Sequence, residues 1–374
     1  MRRRTATFLT LSALGVLLSG VAASTAPVAL ADPAPSQDRT RDRASGPRTI
    51  DPRELDRGPD AAVDHLQGGV IHAADGTTLR VGIPHGRQRI ALLGAVGTAW
   101  AVATWRRADS SSGPGEATVD LVRPGAAPVR VPRSRMPYYA DSYVGFRLSR
   151  DGAQLLTTTY DRGGSTTQLR ATATGRLGGT TYSGAFVQPF DANAGHVLTW
   201  YENEFGRLRV ADWAGDERFT RVATSAVYAD LRRDLIFVRT TGRDFGPTPI
   251  SAPVVPAWSA PFQPLDVSPD GSTAIGLRIT RSGFRSRAIL DVRSMADGSL
   301  VDHIAFGPKI TEDTWSIIND HEQTARFEDD ASYVFQLTTA RGAVLVRCPV
   351  GGRDCERASD FGSDISVPFE RFMW

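Results

Sequence analysis

Residues 148–160 read LSRDGAQLLTTTY, and residues 267–279 read VSPDGSTAIGLRI. Each stretch sets a serine two positions before an aspartate-glycine pair and follows it with an alternating apolar run. A polar loop and a second alternating run come next in both: LLTTTYDRGGSTTQLRATATGRL after Gly152, AIGLRITRSGFRSRAILDVRSMADGSL after Gly271. The same order returns in weaker form in FDANAGHVLTW, ADLRRDLIFV and FEDDASYVFQL, with Asp191, Asp230 and Asp329 in the turn. The starts at Ser149, Asp191, Asp230 and Ser268 lie 42, 39 and 38 positions apart. A repeat near forty residues with several short strands per unit is the signature of a β-propeller blade. Glycine supplies the positive φ of a tight reversal, and serine or aspartate side chains satisfy the turn amides. The mature chain contains no long apolar segment of helical period, which argues against α/β alternatives.

Six full units follow from this spacing, at residues 93–132, 138–182, 185–222, 224–262, 263–306 and 323–359. Residues 69–92 and 364–369 are left over at the two ends. Pairing them in one shared blade would remove the open sheet edges. The expectation is therefore an all-β fold, a single β-propeller of seven blades with six as the fallback, closed by strands from both termini.

SRDG and SPDG, each followed by an apolar strand, resemble the repeats of TolB-type, WD40-like propellers. The C-terminal stretch from Glu312-Asp313 to LVRCPVGGRDCERAS is similar to a group of exported actinobacterial propeller proteins, mostly uncharacterised. The resemblance spans roughly residues 69–370, with SPDG intact only at Ser268 to Gly271. It implies a fold and an address outside the cytoplasm, and no particular activity.

The first residues point to the same address. Arg2, Arg3 and Arg4 precede an apolar run from Phe8 to Val21 and an Ala29-Leu30-Ala31 cleavage site. Residues 1–31 are expected to be a secretory signal peptide cleaved after Ala31. The run is too short to span a bilayer comfortably, so no transmembrane segment is expected after cleavage. Residues 32–64 are rich in proline and mixed charge with few large apolar groups; they read as a flexible tether, leaving 65–374 as the propeller domain. A secreted, extracellular monomer is the expectation. Cleavage takes three arginines from 43 basic side chains, leaving 40 against 41 acidic ones. A domain so balanced carries no electrostatic footprint for nucleic acid. Cys348 and Cys355 can pair only with each other, around Gly351-Gly352, across adjacent strands.

Catalytic chemistry is hard to find. The six histidines, His65, His72, His85, His196, His303 and His321, show no metal-ligand spacing, and no nucleophile elbow or phosphate loop is present. No catalytic residue, metal site or cofactor is expected. The turns lack the S-x-D-x-G-x-x-W spacing of sialidase repeats, and are read as structural. Loops on the opposite rim carry Arg162, Arg243, Arg281, Arg285 and Arg341, with Phe245 and Phe284 among them, and the insertion at 306–324 adds Trp315. Arginine beside an aromatic ring suits carboxylates, phosphates or peptide tails. The leading expectation is a non-catalytic scaffold that binds an unknown protein, peptide or envelope component at this face. The alternative is a secreted glycan-cleaving or cyclising propeller enzyme using carboxylates near the axis, with Asp313, Asp320 and Glu322 as candidates.

Overall fold

The computed structural model describes residues 47–82, 87–106, 115–138, 143–161, 164–183, 187–193, 196–202, 208–213, 219–223, 226–242, 244–282, 285–306, 325–352, 354–362 and 365–368. The expected signal peptide lies outside them. The described residues form strands almost throughout, with one 3-10 turn at Leu231–Arg233.

The strands gather into separate small sheets arranged as a β-propeller. Six are full blades of consecutive strands. Their innermost strands are Arg87–Val96, Tyr143–Leu148, Val187–Asn193, Ala226–Asp230, Gln263–Val267 and Ala325–Phe327, and these define the first to sixth sheets. A shorter closing sheet joins Ile365–Ser366 from one end of the chain to His65–Gln67, Val70–His72 and Thr78–Arg80 from the other. Leu66 pairs with Ser366 and Gln67 with Ile365. The hydroxyl of Ser366 accepts the backbone N–H of Leu92, which ties the closing sheet to the inner strand of the first. Arg87–Val96 is therefore the first sheet's inner strand, although its first six residues were expected in the shared blade. The alternation beginning at Arg89-Ile90-Ala91 pairs along nearly its whole length with Ala99–Arg106, and that local hairpin takes it.

Among the described residues there is no single central core. Each gap between neighbouring sheets holds its own apolar cluster. Ala91, Ala103 and Val119 meet Val144, Phe146 and Leu155 between the first and second sheets. Leu156 and Leu169 meet Ala192 and Val197 in the next gap. The gap between the fifth and sixth sheets is the best filled, with Ile275, Leu290 and Ile304 packed on Phe327, Tyr333 and Phe335. Leu66 and Ile71 of the closing sheet pack on Leu92 and Val102, while Ile365 and Val367 pack on Val334 and Leu345. The alternation read from the sequence is thus two-sided: both faces of each sheet are buried, one against each neighbour.

The residues read as a tether are partly built in. Arg48–Ile50 adds a fifth strand, parallel to Leu300–Phe306, on the outer edge of the fifth sheet. Arg48 donates to Asp302 at 2.7 Å and to Cys355 Sγ at 3.1 Å. Farther along, Gly58 and Ala61 donate backbone N–H groups to Arg357 and Ala358, and Ala61 is buried against the sixth sheet. Composition misled here because edge pairing satisfies backbone groups and needs few apolar side chains. The Cys348–Cys355 disulfide lies where expected, linking the end of Gly342–Pro349 to the start of Glu356–Arg357, with Gly351 at φ 70° in the turn.

Within the closing sheet the rings of His65 and His72 stack in parallel, 4.8 Å between centroids. His65 is buried, with Nδ1 bonded to the Val63 carbonyl at 3.0 Å. Burial pushes its pKa below the ordinary value and outweighs the Val63 carbonyl bond, which raises it; His72 adds to the lowering, and Asp60 and Asp64 oppose it. The unfolded chain then takes up this proton at higher pH than the folded one. The stabilisation is complete above an unfolded pKa of roughly 6.5 and is lost as the pH falls below it. Thermal melts from pH 7.5 to 5 should show a falling melting temperature that flattens in His65→Phe. Removing residues 361–374 should lower the melting temperature by about 10 °C, because it strips Ile365 and Val367 from their gap and reopens two edges.

Candidate functional site

The turn that opened the sequence reading is a hydrogen-bonded cage. Ser149 Oγ donates to Asp151 at 2.5 Å and accepts the N–H of Gln154. Ser268 does the same with Asp270, at 2.6 Å, and Thr273. These bonds, the one from the Ser268 hydroxyl first, hold the Asp270 carboxyl down to about 2. Gly152, at φ 70°, also faces the neighbouring hairpin so closely that a Cβ would stand 2.6 Å from the Ala95 carbonyl oxygen.

The turns then bond to one another around the ring. The Arg150 side chain crosses from the second sheet to bind both oxygens of Asp191 at 3.0 Å and the Ala229 carbonyl at 3.1 Å. Asp191 also accepts the N–H of Leu231 at 2.7 Å. Arg233 binds Asp230 at 2.9 Å and reaches the carbonyls of Val267 and Ser268 in the fifth sheet. The N–H of Asp270 donates to Asp330 of the sixth at 2.8 Å. Burial works against the charge of Arg150, but Asp191, with help from Asp230, outweighs it and raises its pKa. The turns are therefore structural, as their spacing implied.

Just inside this belt, the inner strands carry a second set of residues that the sequence reading missed. Arg147, Tyr228, Asp266 and Arg326 each stand two positions before the residue that opens the turn: Ser149, Asp230, Ser268 and Glu328. Asp191 holds the same place before Asn193, and Gly94 before Val96. In four of these strands the pairing register shifts immediately before the position, at Leu92/Gly94, Pro189/Asp191, Ala226/Tyr228 and Pro264/Asp266. A bulge re-aims the side chain that follows it. Here Asp191, Tyr228 and Asp266, re-aimed in this way, join one polar cluster. Burial presses the Arg147 guanidinium down to about 10; Asp191 opposes this, while Arg150 and Arg326 reinforce it. Burial raises the Tyr228 hydroxyl, as do Asp266 and Asp230, against Arg150 and Arg326. Arg147 and Arg326 come from the second and sixth sheets, on opposite sides of the ring, so the cluster spans its axis.

The cluster is unevenly satisfied. Asp191 and Asp230 are saturated by Arg150, Arg233 and backbone N–H groups. Among the described residues Arg326 binds only carbonyls, including those of Leu265 at 2.9 Å and Pro368 at 3.2 Å. Arg147 approaches a carboxylate only at 3.7 Å, from Asp191. Its Nε and the hydroxyl of Tyr228 are buried with no hydrogen-bond partner among the described residues.

The loop-face residues come out differently. Arg162, Arg243, Phe284 and Trp315 lie outside the described residues, as do Asp313, Asp320 and Glu322. The backbone places Arg281 and Arg285 at the hairpin between the fifth sheet's second and third strands. Arg341 is exposed at the equivalent hairpin of the sixth, so these three share a rim. Phe245 departs from the expected role. It is buried at the start of its strand, bridged to Ala260 and covered by the Arg239 guanidinium at 5.4 Å. The proline-rich segment after Phe245–Pro249 packs over it where a fourth strand would run. Among the described residues no group of histidine, cysteine, aspartate or glutamate gathers to hold a metal.

No family description matches this sequence, and no curated protein does. Similar solved structures include an uncharacterised protein of Listeria monocytogenes EGD-e, 9% identical over 75% of this chain and 85% of that one, with a TM-score of 0.45. TolB from Acinetobacter baumannii is 11% identical over 75% of this chain and 65% of its own, with a TM-score of 0.46. The β-propeller domain of the Trilobed protease from Pyrococcus furiosus is 10% identical over 78% and 76%, with a TM-score of 0.34.

Replacing Arg150 with alanine would strand the Asp191 carboxylate, which is 1% exposed, beside a second buried carboxylate. Removing one partner of such a pair costs about 3–5 kcal/mol. Urea unfolding of Arg150→Ala should show a loss of that size, whereas Arg232→Ala, on the same rim, should stay within about 0.5 kcal/mol of the parent.

Proposed function

We propose that this chain is an exported, non-catalytic β-propeller scaffold that binds a protein, peptide or envelope component at its axis. The supporting observation is the axial cluster, in which two donors without partners among the described residues, Arg147 Nε and the Tyr228 hydroxyl, are buried among the side chains of five sheets. Buried polar groups without partners cost stability, and a ligand that supplies acceptors recovers that cost on binding. The frame suits such a role. Each contributing strand is held by its own sheet, by an apolar gap on either side and by the belt of turn contacts. The reading also takes in cleavage after Ala31, action outside the cytoplasm and a monomeric state. A disulfide in the sixth sheet fits an oxidising compartment.

The test is capture from an envelope extract of the source organism by tagged mature protein, with three baits of matched thermal stability. Parent protein should retain a partner that an Arg147→Ala, Arg326→Ala bait loses. A bait carrying Arg285→Ala and Arg341→Ala on the hairpin rim should keep it. Equal retention by all three refutes axial binding, and loss confined to the third moves the binding surface to the loop rim.

A further inference from the structure

The axial cluster also constrains the chemistry of what it takes, a step that rests on the axial-binding reading. Four guanidinium groups bear on it, from Arg147, Arg150, Arg233 and Arg326, against three carboxylates, from Asp191, Asp230 and Asp266. Arg150 and Arg233 are engaged with Asp191 and Asp230 at 2.9–3.0 Å. Asp266 takes the N–H of Phe327 at 3.0 Å. Among the described residues the remaining cations are Arg147, whose Nε–H is unpartnered, and Arg326, whose bonds all run to neutral carbonyls. Tyr228, 6% exposed, adds an unpartnered O–H, and its environment keeps the phenol protonated and therefore a donor. Among the described residues, unengaged donors thus outnumber acceptors around a surplus of one positive charge.

We infer that the axial cluster is a carboxylate-binding site, in which Arg147, Tyr228 and Arg326 receive a single carboxylate. Charge selects this group. A monoanion neutralises the surplus, and its two planar oxygens accept from guanidinium forks and a phenol at once. A phosphate dianion would overshoot the surplus and face Asp191 and Asp266 with charge to spare. A neutral amide or hydroxyl would leave the surplus charge uncompensated. Two sources offer the carboxylate, the free C-terminus of a polypeptide and a small carboxylic acid, and both are tested.

The experiment follows arginine Nε–H resonances of the 15N-labelled mature protein, assigned by Arg147→Lys and Arg326→Lys, during titration. The probes are sodium acetate, inorganic phosphate, and two random pentapeptide pools lacking aspartate and glutamate, one with free C-termini and one amidated. Acetate and the free-carboxylate pool should move the Arg147 and Arg326 signals saturably, while the amidated pool does not. Tyr228→Phe, which keeps the packing of the ring, should weaken that binding about tenfold and leave the melting temperature unchanged. Saturable shifts with acetate but equal behaviour of the two pools would assign the small acid as the source. If neither acetate nor free-carboxylate peptides move these signals, or if phosphate binds more tightly than acetate, the carboxylate assignment is overturned. In that outcome an Arg147-dependent partner captured from envelope extract would still uphold the axial scaffold.

Discussion

A radial sheet three to five strands wide cannot bury its own faces, so every blade here is stable only because a neighbour stands on either side. That makes the meeting of the two chain ends the constraint on which the rest depends. Two residue pairs, Leu66 with Ser366 and Gln67 with Ile365, convert a row of sheets with two bare ends into a ring. Without them the apolar gaps on both sides of the closing sheet, lined by Leu66, Ile71, Ile365 and Val367, would open to water. The bond from Leu92 N–H to Ser366 Oγ holds the same junction from the first sheet. Residues 48–61 reinforce it outside, crossing the edges of the fifth and sixth sheets before entering the closing one.

Closure has a second consequence at the axis. Strands that fan out from a common centre crowd together at their inner ends, where large apolar side chains have little room. This chain answers with a bulge one step before the last inward position in four of its inner strands. The re-aimed side chains are polar or absent, and the arginines that follow cross-link one turn to the next. The belt and the axial cluster therefore belong to one arrangement. Contacts that saturate Asp191 and Asp230 fix the ring, and the same saturation leaves Arg147, Arg326 and Tyr228 with donors to spare.

Much of the frame was legible in the sequence because its signals are local. Ser149-to-Gly152 and Ser268-to-Gly271 each form a complete turn within six residues, and the alternating runs after them pair as hairpins. Boundaries read at 138–182, 185–222 and 263–306 match the second, third and fifth sheets closely. The misreadings arose where partners are distant in sequence. Arg48–Ile50 has little apolar character, and its strand exists because Leu300–Phe306, some 250 positions away, offers an edge. Phe245 looked available beside its arginines but lies under the segment that returns to Ala260. The axial residues carried a faint positional signal, two before each turn. Their chemistry differs from blade to blade, so no repeat of residue type marked them.

What the sequence alone determined is the unit and its number of turns: aspartate-glycine reversals, two-residue alternation and a spacing near forty depend on neighbours only a few positions apart. The tertiary structure alone decided which faces are buried, where the ring shuts and which charged groups meet. Those outcomes depend on contacts between strands from different blades, and a guanidinium is saturated or left with donors by what the ring sets opposite it.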